Sequence, residues 1–216
     1  MDCPGGRLAG AAAEQILRYR AIFLDLGRVL VNFDFSRGYR ALEPLCPYTA
    51  PEIKQRLATT SLVNDFETGL MEPHDFVTQL SLLLDFDIAY DRFCALWSSI
   101  FAETLVPESL LARLAARYRL LLLSNTNEIH FRMLQESYPL LRHFHGYILS
   151  YEVKAMKPRR EIFDRAIESA GCRPEECFYT DDIADYVEAA RSLGIDAVVF
   201  QSATQLESEM QSRGIL

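Results

Sequence analysis

Three apolar runs of this 216-residue chain end in polar side chains able to do chemistry. Residues 21–24 run into Asp25 and then a Gly27 turn, residues 120–123 into Ser124-Asn125, and residues 177–180 into Asp181-Asp182. A fourth polar group, Lys157, stands directly before Pro158. A lone carboxylate closing a buried run costs free energy unless a cation, a proton or hydrogen-bond donors compensate it. Asp25 is therefore read as a nucleophile. A hard cation such as Mg²⁺ takes one or two carboxylates together with phosphate and water. Asp25 and Asp182 can supply the carboxylates, Asp181 is a further ligand or a hydrogen-bonding neighbour, and the Gly27 carbonyl can add a backbone oxygen. A phosphoryl group in transfer needs donors and positive charge on its oxygens. Ser124, the amide of Asn125 and Lys157 can provide them, and Gly27 and Arg28 are candidate substrate contacts. With the cation offsetting their repulsion, Asp25 can attack a phosphate.

These groups work together only if the elements bearing them share one rim. Short apolar runs closed by Gly or polar residues predict buried parallel strands at 21–24, 120–123, 147–149, 177–180 and 197–200. Between them lie helical patterns. One starts near Pro107, with Leu110, Leu111 and Leu114 on one face. One is opened by Pro158 and closed by Gly171, and one follows Asp182, with Ile183, Val187, Ala190 and Leu193 inward and Gly194 as its stop. Strands alternating with helices predict an α/β fold with a doubly wound parallel sheet, whose strand ends form one ligand crevice. Residues 36–101 show no strong strand signal and read as an all-helical insert, punctuated by Pro44, Pro47, Pro51 and Pro73. The predicted organisation is a tail over 1–18, a core from 19–34 and 104–216, and the insert over 35–103. A short helix is expected over 11–19.

The net charge of −8 argues against nucleic-acid or anionic-membrane binding and requires a local positive site for any anionic substrate. No apolar run reaches membrane-spanning length, and Asp2, Gly5, Gly6 and Arg7 interrupt any signal-peptide core. Cys3, Cys46, Cys94, Cys172 and Cys177 are odd in number and scattered, which suits a reduced, cytoplasmic compartment.

The segments Asp25-Leu26-Gly27-Arg28-Val29-Leu30, Ser124-Asn125, Lys157-Pro158 and Asp181-Asp182 resemble, in order, the four motifs of the haloacid dehalogenase superfamily. The resemblance is nearest to its branch with an Asp-Leu-Gly first motif, which includes sugar-1-phosphate phosphatases. Phe33-Asp34-Phe35, Leu123-Ser124-Asn125-Thr126-Asn127, Ile162-Phe163 and the cap-like Phe66-Glu67-Thr68-Gly69 extend it. It implies a Rossmann-like core, a helical cap inserted after the first strand, and Mg²⁺-dependent hydrolysis of a small phosphorylated metabolite, by a monomer or homodimer.

Two positions depart from that pattern. Gly27 stands where most phosphatases of the superfamily carry a second Asp as acid. Either the leaving group needs little help, as an anomeric oxygen would, or the cap supplies the acid, with Glu67 and His74 as candidates. Tyr186 stands four residues after Asp182, where Asp or Asn is usual. Alternative readings are a haloacid dehalogenase, which needs a halide site and no metal, and a catalytically silent binding protein. Ordinary roles compete as well: Ser124 or Asn125 as helix caps, His143 and His145 as surface residues, and Trp97 as cap core.

Overall fold

The computed structural model describes residues 18–216. The expected helix over 11–19 lies outside the described residues apart from Arg18 and Tyr19, which are not helical. Five parallel strands form the main sheet. β1 (Ala21–Leu24) is central, because all four of its side chains are fully buried. A short strand ahead of the helical insert, β2 (Val31–Phe33), pairs antiparallel with β3 (Phe101–Thr104), which follows the insert. β4 (Arg119–Ser124) and β5 (Gly146–Leu149) lie on one side of β1, and β6 (Cys177–Asp181) and β7 (Asp196–Val199) on the other. The β2–β3 ribbon is absent from the sequence-based expectation. Each of its strands is too short for alternation to register, and the pairing spans the whole insert.

The insert is α1 (Phe35–Leu42), α2 (Ala50–Ala58), α3 (Leu62–Glu67), α4 (Pro73–Leu84) and α5 (Tyr90–Trp97). The rest of the chain adds α6 (Glu108–Ala115), α7 (Glu128–Ser137), α8 (Ser150–Val153), α9 (Arg160–Ala170), α10 (Ala184–Ser192) and α11 (Ala203–Ser212). Pro107 is the residue before α6, and Pro158 sits in a turn two residues ahead of α9 instead of opening it. Gly171 ends α9 at φ 66°, a left-handed conformation that glycine adopts without penalty.

Strand side chains alternate between two apolar layers. Ile22, Leu24, Leu120, Leu122 and Phe178 face α6, α7 and α11. Ala21, Phe23, Leu121, Leu123 and Tyr179 face α9 and α10. Each fully buried large side chain contributes about 1.5–3 kcal/mol, so a sheet covered on both faces supplies most of the framework's stability. The insert has a core of its own, built on Phe66, Phe76, Phe93 and Trp97, into which Ile129 of α7 reaches. Trp97 is thus part of that core. Among the described residues no helix is long and apolar enough to cross a membrane.

Candidate active site

Register and pleat decide which polar side chains meet. Leu24 pairs with Thr180 on one side and Leu122 on the other. Asp25 and Asp181 therefore leave the sheet side by side, with the Asp25 N–H donating to the Thr180 carbonyl at 3.1 Å. Phe23 and Tyr179 face the α9 layer, so residues 25 and 181, two further on, project toward the same face. Lys157 rises there from the turn before α9. Its Nζ donates to Asp25 Oδ1 at 2.7 Å, to Asp181 Oδ2 at 2.5 Å and to the Leu123 carbonyl at 3.0 Å. All three ammonium protons are used, and the side chain is buried.

Burial raises the Asp25 carboxyl above the usual carboxylate range; Lys157 opposes the shift and the Asp181 charge reinforces it. Burial also pulls Lys157 down, but the two carboxylates outweigh it and hold the ammonium above its ordinary value. Asp181 accepts further from the Tyr179 hydroxyl and, through Oδ1, from the Ile183 N–H at 2.9 Å. Three donors thus fix it. Asp182 has no such set; it is half-buried, and burial and the Asp181 charge push it upward while Arg28 opposes them.

One carboxylate oxygen from each of Asp25, Asp181 and Asp182 lies within 4.8 Å of the others. Three carboxylates against the Lys157 ammonium and the Arg28 guanidinium at the rim still leave surplus negative charge in a largely buried site. All the donors are hard oxygens, and Asp25 and Asp182 are the two with capacity to spare. This is the donor chemistry that Mg²⁺ takes. The same surplus is unsuited to holding a halide.

Asn125 differs from the simplest expectation. Its side-chain amide donates to the Lys157 carbonyl at 3.0 Å and accepts from the Lys157 N–H at 2.8 Å, so it fastens the Lys157 turn to the end of β4. A longer contact, 3.4 Å, reaches the Tyr186 hydroxyl. Tyr186 therefore belongs to this site, with Lys157 Nζ 5.2 Å from its ring centre. Ser124 is buried and lines an inner recess. Neither residue caps α7; Asn127 does, its side chain accepting from the His130 N–H.

The carboxylates open into a cavity of about 340 Å³, walled by Arg28, Phe33, Phe35, Glu67, Met156 and Ile183 among others. An inner recess of about 50 Å³ shares Gly27, Phe33, Phe35, Glu67 and Asn125 with it. Ile183, expected to face inward on its helix, is instead exposed at this mouth: it precedes α10 in extended conformation, outside the helical period. Arg28 sits at φ 57°, a backbone conformation that favours glycine, with its guanidinium 5.2 Å from the centre of the Phe33 ring. The chain signalled Phe33 and Phe35 through the Phe33-Asp34-Phe35 segment that extends the family resemblance, and gave no signal for Met156.

His74 is not part of this site. It is exposed on α4, stacks on Tyr90 at 3.9 Å and lines a separate groove. His143 meets Glu108 at 2.8 Å, and His145 Nδ1 accepts from the Leu120 N–H. Cys46, Cys94, Cys172 and Cys177 are unpaired.

Residues 19–194 match the model of a haloacid dehalogenase-like hydrolase. The chain is 24% identical over 196 residues to the D-ribitol-5-phosphate phosphatase of Bacteroides thetaiotaomicron, covering 88% of this chain and 95% of that one. A HAD family enzyme of the same organism, solved in complex with magnesium and inorganic phosphate, superposes with a TM-score of 0.77 at 28% identity, covering 85% of this chain and 95% of the other. A HAD-like family hydrolase from Porphyromonas gingivalis superposes equally, 0.77 at 25% identity over 90% and 97% of the two chains. With four polar motifs gathered at one rim of a parallel sheet and a family match over most of its length, the chain belongs to the haloacid dehalogenase-like hydrolases.

Proposed function

We propose that the chain is a Mg²⁺-dependent phosphomonoesterase acting on a small phosphorylated polyol or sugar. The observation that carries this is Asp25: a desolvated carboxylate on the cavity floor, oriented by Lys157 at 2.7 Å, with Asp182 beside it. Asp25 attacks phosphorus and becomes an aspartyl-phosphate as the ester oxygen leaves; water then hydrolyses that intermediate. Lys157 holds Asp25 in place and places positive charge beside the transferring group. Ser124 and Asn125 stand on the phosphate side, Asn125 chiefly by fixing Lys157. Asp25, Asp182 and the Gly27 carbonyl would hold Mg²⁺, with Asp181 steadying Lys157. The bound cation supplies charge neutralisation between the two anions. Arg28 contacts the substrate from the rim.

Residues 35–103 act as the cap over this chamber, excluding water and selecting the leaving group. The cavity suits a small metabolite. Ribitol 5-phosphate, from the relative's activity, and sugar 1-phosphates, from the Asp-Leu-Gly motif, are the first esters to test. A reduced, cytoplasmic setting suits the unpaired cysteines, and the proposed state is a monomer or homodimer. The test is a phosphate-ester screen with and without Mg²⁺, with Asp25→Asn as control. Turnover that needs both Mg²⁺ and Asp25 is expected. Turnover independent of either overturns the mechanism, and no turnover of any ester favours a silent binding protein.

A further inference from the structure

Hydrolysis of an alkyl phosphate leaves an alkoxide that must be protonated, and water must later lose a proton as it attacks the intermediate. Among the titratable groups lining the cavity, Asp25, Lys157 and Asp182 already have tasks, Arg28 stays charged, and the Tyr186 hydroxyl, which burial raises further, already accepts from the Asn125 amide. Glu67, the last residue of α3, has none. It lines both the main cavity and the inner recess, and among the described residues its carboxyl has no hydrogen-bond or ion-pair partner. Its backbone, by contrast, is gripped. The Ser150 hydroxyl donates to the Glu67 carbonyl at 2.6 Å, and Lys154 Nζ donates to the Gly69 carbonyl. Gly69 sits at φ +69°, and a Cβ there would fall 1.9 Å from the Tyr151 carbonyl oxygen, so only glycine allows the approach. The segment thus holds one free acid in the wall of the cavity that Asp25 also lines.

We infer that Glu67, delivered by the cap, is the general acid and base of the reaction. This rests on the phosphatase reading above. In the first step Asp25 bonds to phosphorus, the bond from phosphorus to the ester oxygen breaks, and the Glu67 proton passes to that oxygen. In the second, Glu67 takes a proton from water as the water oxygen bonds to phosphorus and Asp25 departs. Inorganic phosphate and protonated Glu67 result. Burial alone raises the Glu67 carboxyl, to about 7, so it holds a proton near neutrality and can release it. The titratable and charged groups on the elements around it are Tyr39 of α1, His130 of α7 and Tyr151 and Lys154 of α8, with Asp25, Arg28, Lys157, Asp182 and Tyr186 across the cavity.

The test compares Glu67→Gln with the wild-type chain, both with Mg²⁺, on ribitol 5-phosphate and on p-nitrophenyl phosphate, whose phenolate leaves unprotonated. For the alkyl ester, single-turnover cleavage should slow by about 10²–10⁴-fold, while the aryl ester should give its nitrophenolate burst within about threefold of the wild-type rate. Slow steady-state turnover should follow that burst, with the phosphate retained on Asp25. The alkaline fall of the wild-type alkyl profile, above about pH 7, should be absent in the variant. Unchanged alkyl cleavage, or equal slowing of the first step for both esters, overturns the role of Glu67. Asp25→Asn should abolish both reactions; if it does not, the phosphatase reading fails whatever Glu67 does.

Discussion

A Cβ placed on Gly27 would lie 2.6 Å from Cε1 of Phe33. The ring itself is wedged between Phe35 and Phe101, with edge-on centroid distances of 5.0 and 6.2 Å, so it cannot swing aside freely. The space in which an acidic side chain at position 27 would start is therefore already filled. Gly27→Asp should destabilise the fold by about 1–3 kcal/mol through overpacking. Adding Phe33→Ala should recover part of that loss, and a thermal-unfolding double-mutant cycle measures the coupling. Additive losses would show that the ring and residue 27 do not compete.

Arg28 carries backbone strain where its side chain reaches the mouth of the site. Arg28→Gly should relieve about 1 kcal/mol, a Tm gain of about 2–4 °C for a chain of this size. The same change should raise KM for the ester by roughly tenfold, the loss of one charge-assisted contact. A Tm gain with KM unmoved would remove Arg28 from the substrate's surroundings.

Asp181 and Asp182 are neighbours with different surroundings, and their variants should separate. Excess Mg²⁺, about a hundredfold over its Kd, should stabilise the wild type by about 2–3 kcal/mol. Asp182→Asn should erase that gain and leave the metal-free Tm nearly unchanged. Asp181→Asn should lower the metal-free stability by about 1–3 kcal/mol, because one carboxylate oxygen becomes an NH₂ donor: with Oδ1 kept for the Ile183 N–H, Lys157 and Tyr179 lose the Oδ2 acceptor that they share. Calorimetric unfolding with and without Mg²⁺ reads both effects.

His130 joins the core to the insert. Its Nε2 lies 3.2 Å from the Trp97 carbonyl and its Nδ1 3.0 Å from the Asn127 side-chain amide, an arrangement that a neutral ring satisfies. Burial lowers the ring to about 4 from 6.5. The folded state therefore binds fewer protons than the unfolded state between these values, and its stability falls as pH drops through that window. The loss should reach about 3 kcal/mol at pH 4 relative to pH 7. The difference between wild type and His130→Gln in chemical denaturation isolates it, and parallel pH curves for the two would refute it.

Asp25, Lys157, Asp181 and Asp182 were legible because each stands at a strand end or before a helix, where a polar residue interrupts an apolar run. The two-sided parallel sheet was legible for the same reason. Which of the paired aspartates is bound up by donors was not, since that depends on Tyr179 reaching two residues along its own strand face. Ile183 was misplaced because one residue of extended chain separates it from the period of α10. His74 and Glu67 both looked like acids that the cap could offer. Only packing distinguishes them: α4 turns Phe76, Val77 and Leu80 inward and leaves His74 outside.

Ser150 accepts a hydrogen bond from the Thr126 N–H while donating toward the Glu67 carbonyl. A single hydroxyl thus stitches the peptide just beyond Asn125 to the roof of the chamber. Moving α3 away from the core would strip a partner from the loop after β4. Core and insert are thereby tied through one hydroxyl group, so a change at position 150 is felt on both sides of the seam.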